Sequence, residues 1–192
     1  MTDVAITDDE FNACKEYVEV VQWRSNRYGY NHANARGRTP EQRMWDDVNG
    51  HCGEIAFCRY LGRRWIPDIN AFHAQPDLMG VFEIRTTHWA TGRLIIRDDE
   101  HDAGNRCFIL VTGNAWEPPR VMSIRGYIWG GNAQQPQFLD NPNGHRESWF
   151  VPQEALHPLN DEVRARMIAY IERPQRRKEC NGNLTVWRTT TG

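Results

Sequence analysis

A turn that leads into a strand is indicated by the stretch Pro76-Asp77-Leu78-Met79-Gly80-Val81-Phe82-Glu83-Ile84-Arg85. Because side chains alternate along a strand, Glu83 and Arg85 should share one face, opposite to the apolar residues between them. Gly80 would let the chain bend and bring the Asp77 carboxylate towards Glu83. Two carboxylates that converge near a cation suit Mg²⁺ and metal-assisted phosphodiester hydrolysis. The alternative is a half-buried strand with a solvated polar face and an acidic turn.

A long helix is predicted upstream of this strand. Thr39 is the predicted N-cap, Pro40 takes the first helical position and Gln42 completes a capping box. The helical pattern runs to Leu61, and Gly62 is the predicted C-terminal stop. Helical spacing places one carboxylate, Glu54, on the apolar face with Phe57, Cys58 and Leu61. If Glu54 is buried there, its carboxylate needs a cation or hydrogen-bond donors nearby. The alternative is that Glu54 lies at the edge of the apolar face, where it reaches water or pairs with Arg59 or Arg64.

The rest of the sequence predicts one α/β domain over residues 1–172. Its predicted parts are an N-terminal helix at 7–25, opened by a Thr7/Glu10 capping box, a core at 39–158 and a short helix at 160–172. Residues 173–192 form a basic tail whose structure the sequence does not indicate. The hydrophobic content of 40% and charged content of 25% are typical of a globular protein.

The net charge and the cysteine content of the chain indicate which kinds of partner and which cellular compartment to expect. The net charge of −2 gives no global attraction to nucleic acid, so any DNA contact needs a local basic patch. No apolar run reaches membrane-spanning length and no signal pattern precedes the first helix, which predicts a cytoplasmic protein without membrane contact. Five cysteines without a CxxC pair favour free thiols. A zinc site at His51, Cys52, Cys58 and His73 is an alternative, although its spacing fits no known structural pattern.

The order of these features resembles the PD-(D/E)XK nuclease superfamily, in its phage and bacterial forms. The matching residues are Gly53-Glu54-Ile55-Ala56 on the first core helix, Pro76-Asp77 at the start of the central hairpin, and Glu83-Ile84-Arg85 on the next strand. The segments that should follow are Thr86 to Ile96, which forms a strand, a polar turn and a second strand, then the strands Cys107-Phe108-Ile109-Leu110-Val111-Thr112-Gly113 and Arg125-Gly126-Tyr127-Ile128-Trp129-Gly130. The resemblance covers about residues 40 to 158. It implies a restriction-endonuclease-like core, a mixed central sheet flanked by helices, and a DNA nuclease that uses Mg²⁺ or Mn²⁺ and is encoded by a phage or prophage.

The resemblance also assigns roles to residues of the site. Asp77 and Glu83 would bind the metal together with the Ile84 backbone carbonyl, and Glu54 would be a further ligand or orient a water. Arg85 stands where the family usually has Lys. Because arginine stays protonated, Arg85 would stabilise the negative charge that develops on the phosphate and would not act as a base. Only Lys15 and Lys178 are lysines in this arginine-rich chain, which offers a compositional reason for the replacement.

The expected partner is DNA. His88 and Arg93, which follow the Glu83–Arg85 strand, are candidate phosphate contacts. Arg36 and Arg38 belong to a basic and aromatic connector at 26–38. This connector would either contact a nucleic-acid backbone or remain a solvated loop. A homo-oligomer or a phage protein partner is also compatible with the resemblance. The alternative function is a catalytically silent module that binds nucleic acid or a partner protein in phage assembly or host takeover. A phage-encoded protein would act in the host cytoplasm.

Overall fold

The protein is described by a computed structural model that covers residues 1–27, 37–67, 81–98, 100, 103–142, 144 and 146–172. These residues form a mixed α/β fold with four α-helices and two β-sheets. In chain order the elements are β1 (Thr2–Ala5), α1 (Asp8–Arg27), α2 (Pro40–Tyr60), β2 (Phe82–Thr87), β3 (Leu94–Arg97), β4 (Cys107–Thr112), β5 (Val121–Trp129), α3 (Gly130–Ala133), β6 (Leu139–Asp140), β7 (Ser148–Val151) and α4 (Asp161–Ile171). Within these residues no helix has an apolar stretch long enough to span a membrane.

Both long helices begin at the capping boxes that the sequence predicts. The Thr7 hydroxyl accepts from the Glu10 backbone N–H, and the Glu10 carboxylate accepts from the Thr7 backbone N–H. Thr39 and Gln42 make the same reciprocal pair at the start of α2. At the other end of α2, Gly62 has a φ of 70°, a left-handed conformation that favours glycine. The predicted start and stop of α2 are therefore confirmed.

The larger sheet has the strand order β1-β5-β4-β2. The pairs β1/β5 and β5/β4 are antiparallel, whereas β4 and β2 are parallel. The sequence predicts that β2, a polar turn and the next strand follow one another, and they do. That next strand, β3, nevertheless pairs with β7 in a second sheet of order β3-β7-β6 and not with β2. The parallel neighbour of β2 is reached only after a connection through β3.

Two apolar cores lie on opposite faces of the larger sheet. On one face, Phe82 and Ile84 of β2 and Ile109 of β4 pack against α1, α2 and α4. On the other face, Phe108 and Leu110 pack against the second sheet and α3. Every residue of β4 is buried because each of its faces is covered. The polar residues of β2 consequently lie at the edge of a buried layer and not on an open surface.

The remaining predicted segments are placed as follows. The C-terminal helix α4 runs over Asp161–Ile171, with the Asn160 side chain accepting from the Val163 backbone N–H as its N-cap. The N-terminal strand β1 is not indicated by the sequence pattern. The tail at 173–192 and the connector residues 28–36 lie outside the described residues.

Candidate functional site

The predicted pair on β2 shares one face of the sheet. Glu83 is in register with Phe108 of β4, and Arg85 is in register with Leu110. The Arg85 guanidinium carbon lies 5.9 Å from the centroid of the Phe108 ring, as expected for side chains on the same face. Arg85 Nη2 contacts Glu83 Oε1 at 3.1 Å. The prediction that Glu83 and Arg85 share one face of the strand is confirmed.

Glu83 is the central carboxylate of a buried ionic cluster. It is only 8% exposed, and its second oxygen lies 3.3 Å from Nη1 of Arg106. Arg85 in turn contacts Glu100 Oε1 at 2.6 Å through the same nitrogen that contacts Glu83. We call Glu83, Arg85, Glu100 and Arg106 the β2 ion cluster. A buried carboxylate of this kind is stable only with such charged partners.

The pKa of the Glu83 carboxyl is raised above its ordinary value. Burial is the main cause, since it disfavours the charged form. The Arg85 and Arg106 guanidinium groups act in the opposite direction, while the Glu100 and Glu54 carboxylates add to the rise.

Glu54 lies on α2 and has its own hydrogen-bond donors. The His51 ring nitrogen Nδ1 lies 2.9 Å from Glu54 Oε1, and the Trp65 indole N–H donates to Glu54 Oε2 at 2.9 Å. Its side chain is 20% exposed. Arg59, which the sequence offers as a partner, instead contacts Glu10 and the Ala5 carbonyl. Glu54 is thus half-buried, with hydrogen-bond donors beside it from His51 and Trp65.

Glu54 and Glu83 approach the edge strand β2 from its two sides. Thr86, on the α2-facing side of β2, contacts the Gly50 carbonyl through its hydroxyl at 3.4 Å, whereas Glu83 points to the side of Phe108. Glu54 acts on Glu83 through its charge, and this effect is the smallest of the charge effects on the Glu83 pKa. The third predicted carboxylate, Asp77, lies outside the described residues. Within them, no group of three His, Cys, Asp or Glu side chains is arranged to hold a metal.

The residues predicted to contact nucleic acid lie in two separate regions of the described structure. His88 and Arg38 line one open surface depression of about 640 Å³, together with Trp45 of α2. The His88 ring packs edge-on against Trp45, with centroids 4.9 Å apart, and against Trp89 at 4.4 Å. Arg93 is exposed just before β3, and Arg36 lies outside the described residues. The structure thus brings His88 and Arg38 together.

The cysteines near α2 are buried free thiols. Cys14 of α1 and Cys52 of α2 form a hydrogen bond that, with burial, raises the pKa of the Cys14 thiol. Burial and the nearby Glu54 charge raise the pKa of Cys58 to about 12. His73, the fourth residue of the zinc alternative, lies outside the described residues.

Two members of the β2 ion cluster, Glu100 and Arg106, are not indicated by the sequence pattern. Arg106 directly precedes β4, whose first residue pairs with the first residue of β2, so the parallel register brings it to Glu83. A cation immediately before a continuous apolar strand is the signal that would have identified it. Glu100 follows β3 in a segment that reads only as an acidic turn. Its second oxygen, Oε2, is buried without a hydrogen-bond partner among the described residues.

The chemistry available at this edge combines carboxylates with guanidinium groups. Glu83 and Glu100 supply hard oxygen atoms of the kind that bind Mg²⁺, while Glu54 lies on the other side of β2. Arg85 and Arg106 supply fixed positive charge of the kind that binds phosphate. No protein-family model, curated protein or solved structure matches this chain.

Proposed function

We propose that the protein is a Mg²⁺- or Mn²⁺-dependent nuclease that hydrolyses DNA phosphodiester bonds on a restriction-endonuclease-like core. The observation that carries the proposal is the buried pair of Glu83 and Arg85 on β2, with two further carboxylates in electrostatic range. The mixed sheet, with β2 parallel to β4 and α2 packed on β2, is compatible with such a core. The order of Glu54, Asp77, Glu83 and Arg85 along the chain supports the same assignment.

In this proposal a hard divalent cation would be held by carboxylate oxygens, the ligands that Mg²⁺ prefers in proteins. An ionised carboxylate offers about four lone-pair sites, so the two arginine contacts of Glu83 leave room for a metal bond. Glu83 and Asp77 would hold the ion with the Ile84 backbone carbonyl. Glu54, which approaches β2 from the other side, would act on this site through its charge. The bound ion would lower the pKa of a water molecule and offset phosphate charge.

The chain's own arginines would act on the phosphate. Arg85 stays protonated at any physiological pH, so its part is to stabilise the negative charge that develops as the phosphodiester bond breaks. The Arg85 side chain lies beside Phe108 and is 31% exposed, so solvent screens its charge only in part. Arg38, His88 and Arg93, with Arg36 of the connector, would contact the DNA backbone. In this proposal the protein is encoded by a phage or prophage and acts in the host cytoplasm.

The decisive experiment measures cleavage of plasmid and branched DNA by the purified chain. Mg²⁺ or Mn²⁺ should support cleavage, and Ca²⁺ should support DNA binding without cleavage. Asp77→Asn and Glu83→Gln should abolish cleavage while circular dichroism shows an intact fold. Glu19→Gln, which removes an exposed carboxylate from α1, is the matched control and should cleave normally. Metal-dependent cleavage that survives both site substitutions would refute the proposal.

A second candidate is a catalytically silent module that binds nucleic acid or a partner protein. The observation that favours it is the neutralisation of Glu83 by Arg85 and Arg106 within the chain, which makes the cluster stable without a metal. This candidate predicts DNA or protein binding that is indifferent to divalent ions. Absence of cleavage with every DNA and RNA substrate, with DNA binding retained, would select it over the nuclease.

A further inference from the structure

The turn that joins β2 to β3 carries an exposed tryptophan. Trp89 is 66% exposed, although tryptophan side chains are on average highly buried. Its ring lies against the His88 ring, with centroids 4.4 Å apart and a tilt of 42°, and the His88 ring packs edge-on against Trp45 of α2. We call these three rings the aromatic platform. Trp89 is its outer and most exposed member.

The turn holds Trp89 in a fixed position. The Trp89 carbonyl accepts from the Gly92 N–H at 2.9 Å, which closes the turn, and the Trp89 N–H donates to the Thr87 hydroxyl at 3.3 Å. The Gln153 side-chain amide donates to the Ala90 and Gly92 carbonyls at 2.8 Å and 2.9 Å. A large apolar surface that is exposed and already ordered can bind a ligand without a further loss of conformational entropy.

The charges around the aromatic platform nearly balance. Arg93 is exposed directly after the turn, and Arg38 lies beside His88 in the surface depression. Two carboxylates line the same depression: Asp46 contacts Arg38 at 2.5 Å, and Glu41 is exposed. The attraction for phosphate is therefore modest, and a ligand of the platform must be held mainly by contact with the rings.

A nucleobase fits a surface of this kind, because every base has a flat π-face that stacks on aromatic side chains. Only an unpaired base offers that face, since in a duplex the neighbouring base pairs cover it. The platform also follows directly on the strand that carries Glu83 and Arg85. The distance from Glu83 to Trp89 is at most about 20 Å along an extended chain, at about 3.3 Å per residue. One bound strand of DNA can span that distance.

We propose that the aromatic platform binds single-stranded DNA by stacking an unpaired base on the Trp89 ring, so that the substrate of the protein contains an unpaired segment. This inference rests on the proposed function for the identity of the ligand as DNA. It requires neither a metal ion nor cleavage. Trp89 touches the base, whereas His88 and Trp45 are positioning residues that support its ring.

The test is fluorescence anisotropy of a labelled oligothymidine of about 12 nucleotides, a length within the usual range of such sites, titrated with the full chain in buffer with EDTA. Trp89→Ala should weaken binding by about 5- to 150-fold, the usual loss when one stacking side chain is removed. Trp89→Phe should retain most of the affinity because it keeps a π-face. Trp23→Ala is the matched control and should leave the affinity unchanged. Trp23 is a 60% exposed tryptophan of α1 that also lies beside an arginine, Arg27.

Two further measurements separate stacking from attraction by charge. A duplex of the same length should bind more weakly than the single strand, and Trp89→Ala should not change its affinity. Because Trp89 neutralises no phosphate, the ratio of the wild-type and Trp89→Ala dissociation constants should be the same at low and high salt, although both affinities fall. Equal weakening of single-strand and duplex binding by Trp89→Ala would overturn the inference.

The remaining outcomes distinguish this inference from the proposed function. If the wild type cleaves DNA with Mg²⁺ and Trp89→Ala binds oligothymidine as tightly as the wild type, the inference is wrong and the nuclease stands. If oligothymidine binds through Trp89 and no substrate is cleaved, the inference stands and the nuclease falls. If the wild type binds no oligothymidine, the inference is wrong whatever the cleavage assay gives. Thermal melting of each variant verifies that it is folded.

Discussion

Gly53 of α2 lies directly against Thr86 of β2, so close that a Cβ atom on Gly53 would be 2.0 Å from the Thr86 hydroxyl oxygen. Helix and strand can approach this closely only because residue 53 has no side chain. The contact sets the height of α2 above the sheet. It thereby sets the position of Glu54, the next residue along the helix, relative to the edge strand.

Gly53→Ala should lower the free energy of unfolding by about 1–3 kcal/mol, because the added methyl overpacks the interface with β2. Gly50→Ala is the matched control, since a Cβ on Gly50 meets no atom within 4 Å in the same helix. Alanine is the better helix former, so Gly50→Ala should be neutral or stabilising by up to about 1 kcal/mol. Urea unfolding of both variants measures the difference. Equal effects of the two substitutions would contradict the close helix–strand contact.

Arg85→Ala should lower the single-turnover rate of DNA cleavage at saturating metal by about 10²–10³, the usual loss when one fixed charge-stabilising donor is removed. Arg85→Lys should retain or raise the rate, because lysine also carries a positive charge and is the residue expected at this position under the proposed function. Thermal melting of each variant separates a catalytic role from a structural one. If Arg85→Ala lowers the melting temperature and leaves the rate unchanged, Arg85 is a structural partner of Glu83 alone.

Asn49→Ala should lower the free energy of unfolding by about 1–3 kcal/mol. Asn49 is 3% exposed on α2, where its side-chain amide donates to the Gly113 carbonyl at 3.1 Å and accepts from the Ala115 N–H at 2.9 Å. The substitution leaves two groups of the β4–β5 connection without these partners, and unsatisfied buried groups are costly. Chemical denaturation measures the loss. Asn12→Ala, at an exposed position of α1, is the control and should change stability by less than about 0.5 kcal/mol.

Cys107 should make the fold sensitive to alkaline pH. Burial raises the pKa of its thiol from 9.0 to about 12, so the folded state keeps the thiol neutral while the unfolded state ionises near pH 9. The stability that the neutral thiol contributes is complete below pH 9 and is lost as the pH rises towards 12, by about 1.4 kcal/mol per unit.

Urea unfolding of the wild type and of Cys107→Ala between pH 8 and pH 10.5 measures this effect. The free energy of unfolding should fall more steeply with pH in the wild type, because the variant lacks this group while all others titrate alike. Parallel pH dependences of the two proteins would show that the Cys107 thiol is not shielded from solvent.

Local elements of the fold could be predicted from the sequence because their signals are carried by neighbouring residues. The capping boxes at Thr7 and Thr39 define the starts of α1 and α2, since each box joins residues three apart. The period of two along a strand placed Glu83 and Arg85 on one face. Both patterns are properties of a few consecutive residues and do not depend on the rest of the chain.

The partners of these elements were decided by tertiary structure. The sequence order suggests that β2 is followed by its neighbour in the sheet, yet β3 joins β7 and β4 takes the place beside β2. Arg106 reaches Glu83 only through that parallel register. Such pairings depend on which apolar faces can be buried together over long separations, and no local pattern encodes them.

In the candidate site, too, some features follow from the local sequence and others from the tertiary structure. By itself the sequence determined which residues carry charge, that Glu83 and Arg85 lie side by side, and that Glu54 lies on an apolar helix face. Only the tertiary structure decided that His51 and Trp65 are the partners of Glu54, and that Glu100 shares Arg85 with Glu83. The local conformation of a side chain follows from its neighbours in sequence. Its ionic partners follow instead from packing between distant segments of the chain. Ion pairs form only where burial of apolar surface has already brought the backbones together.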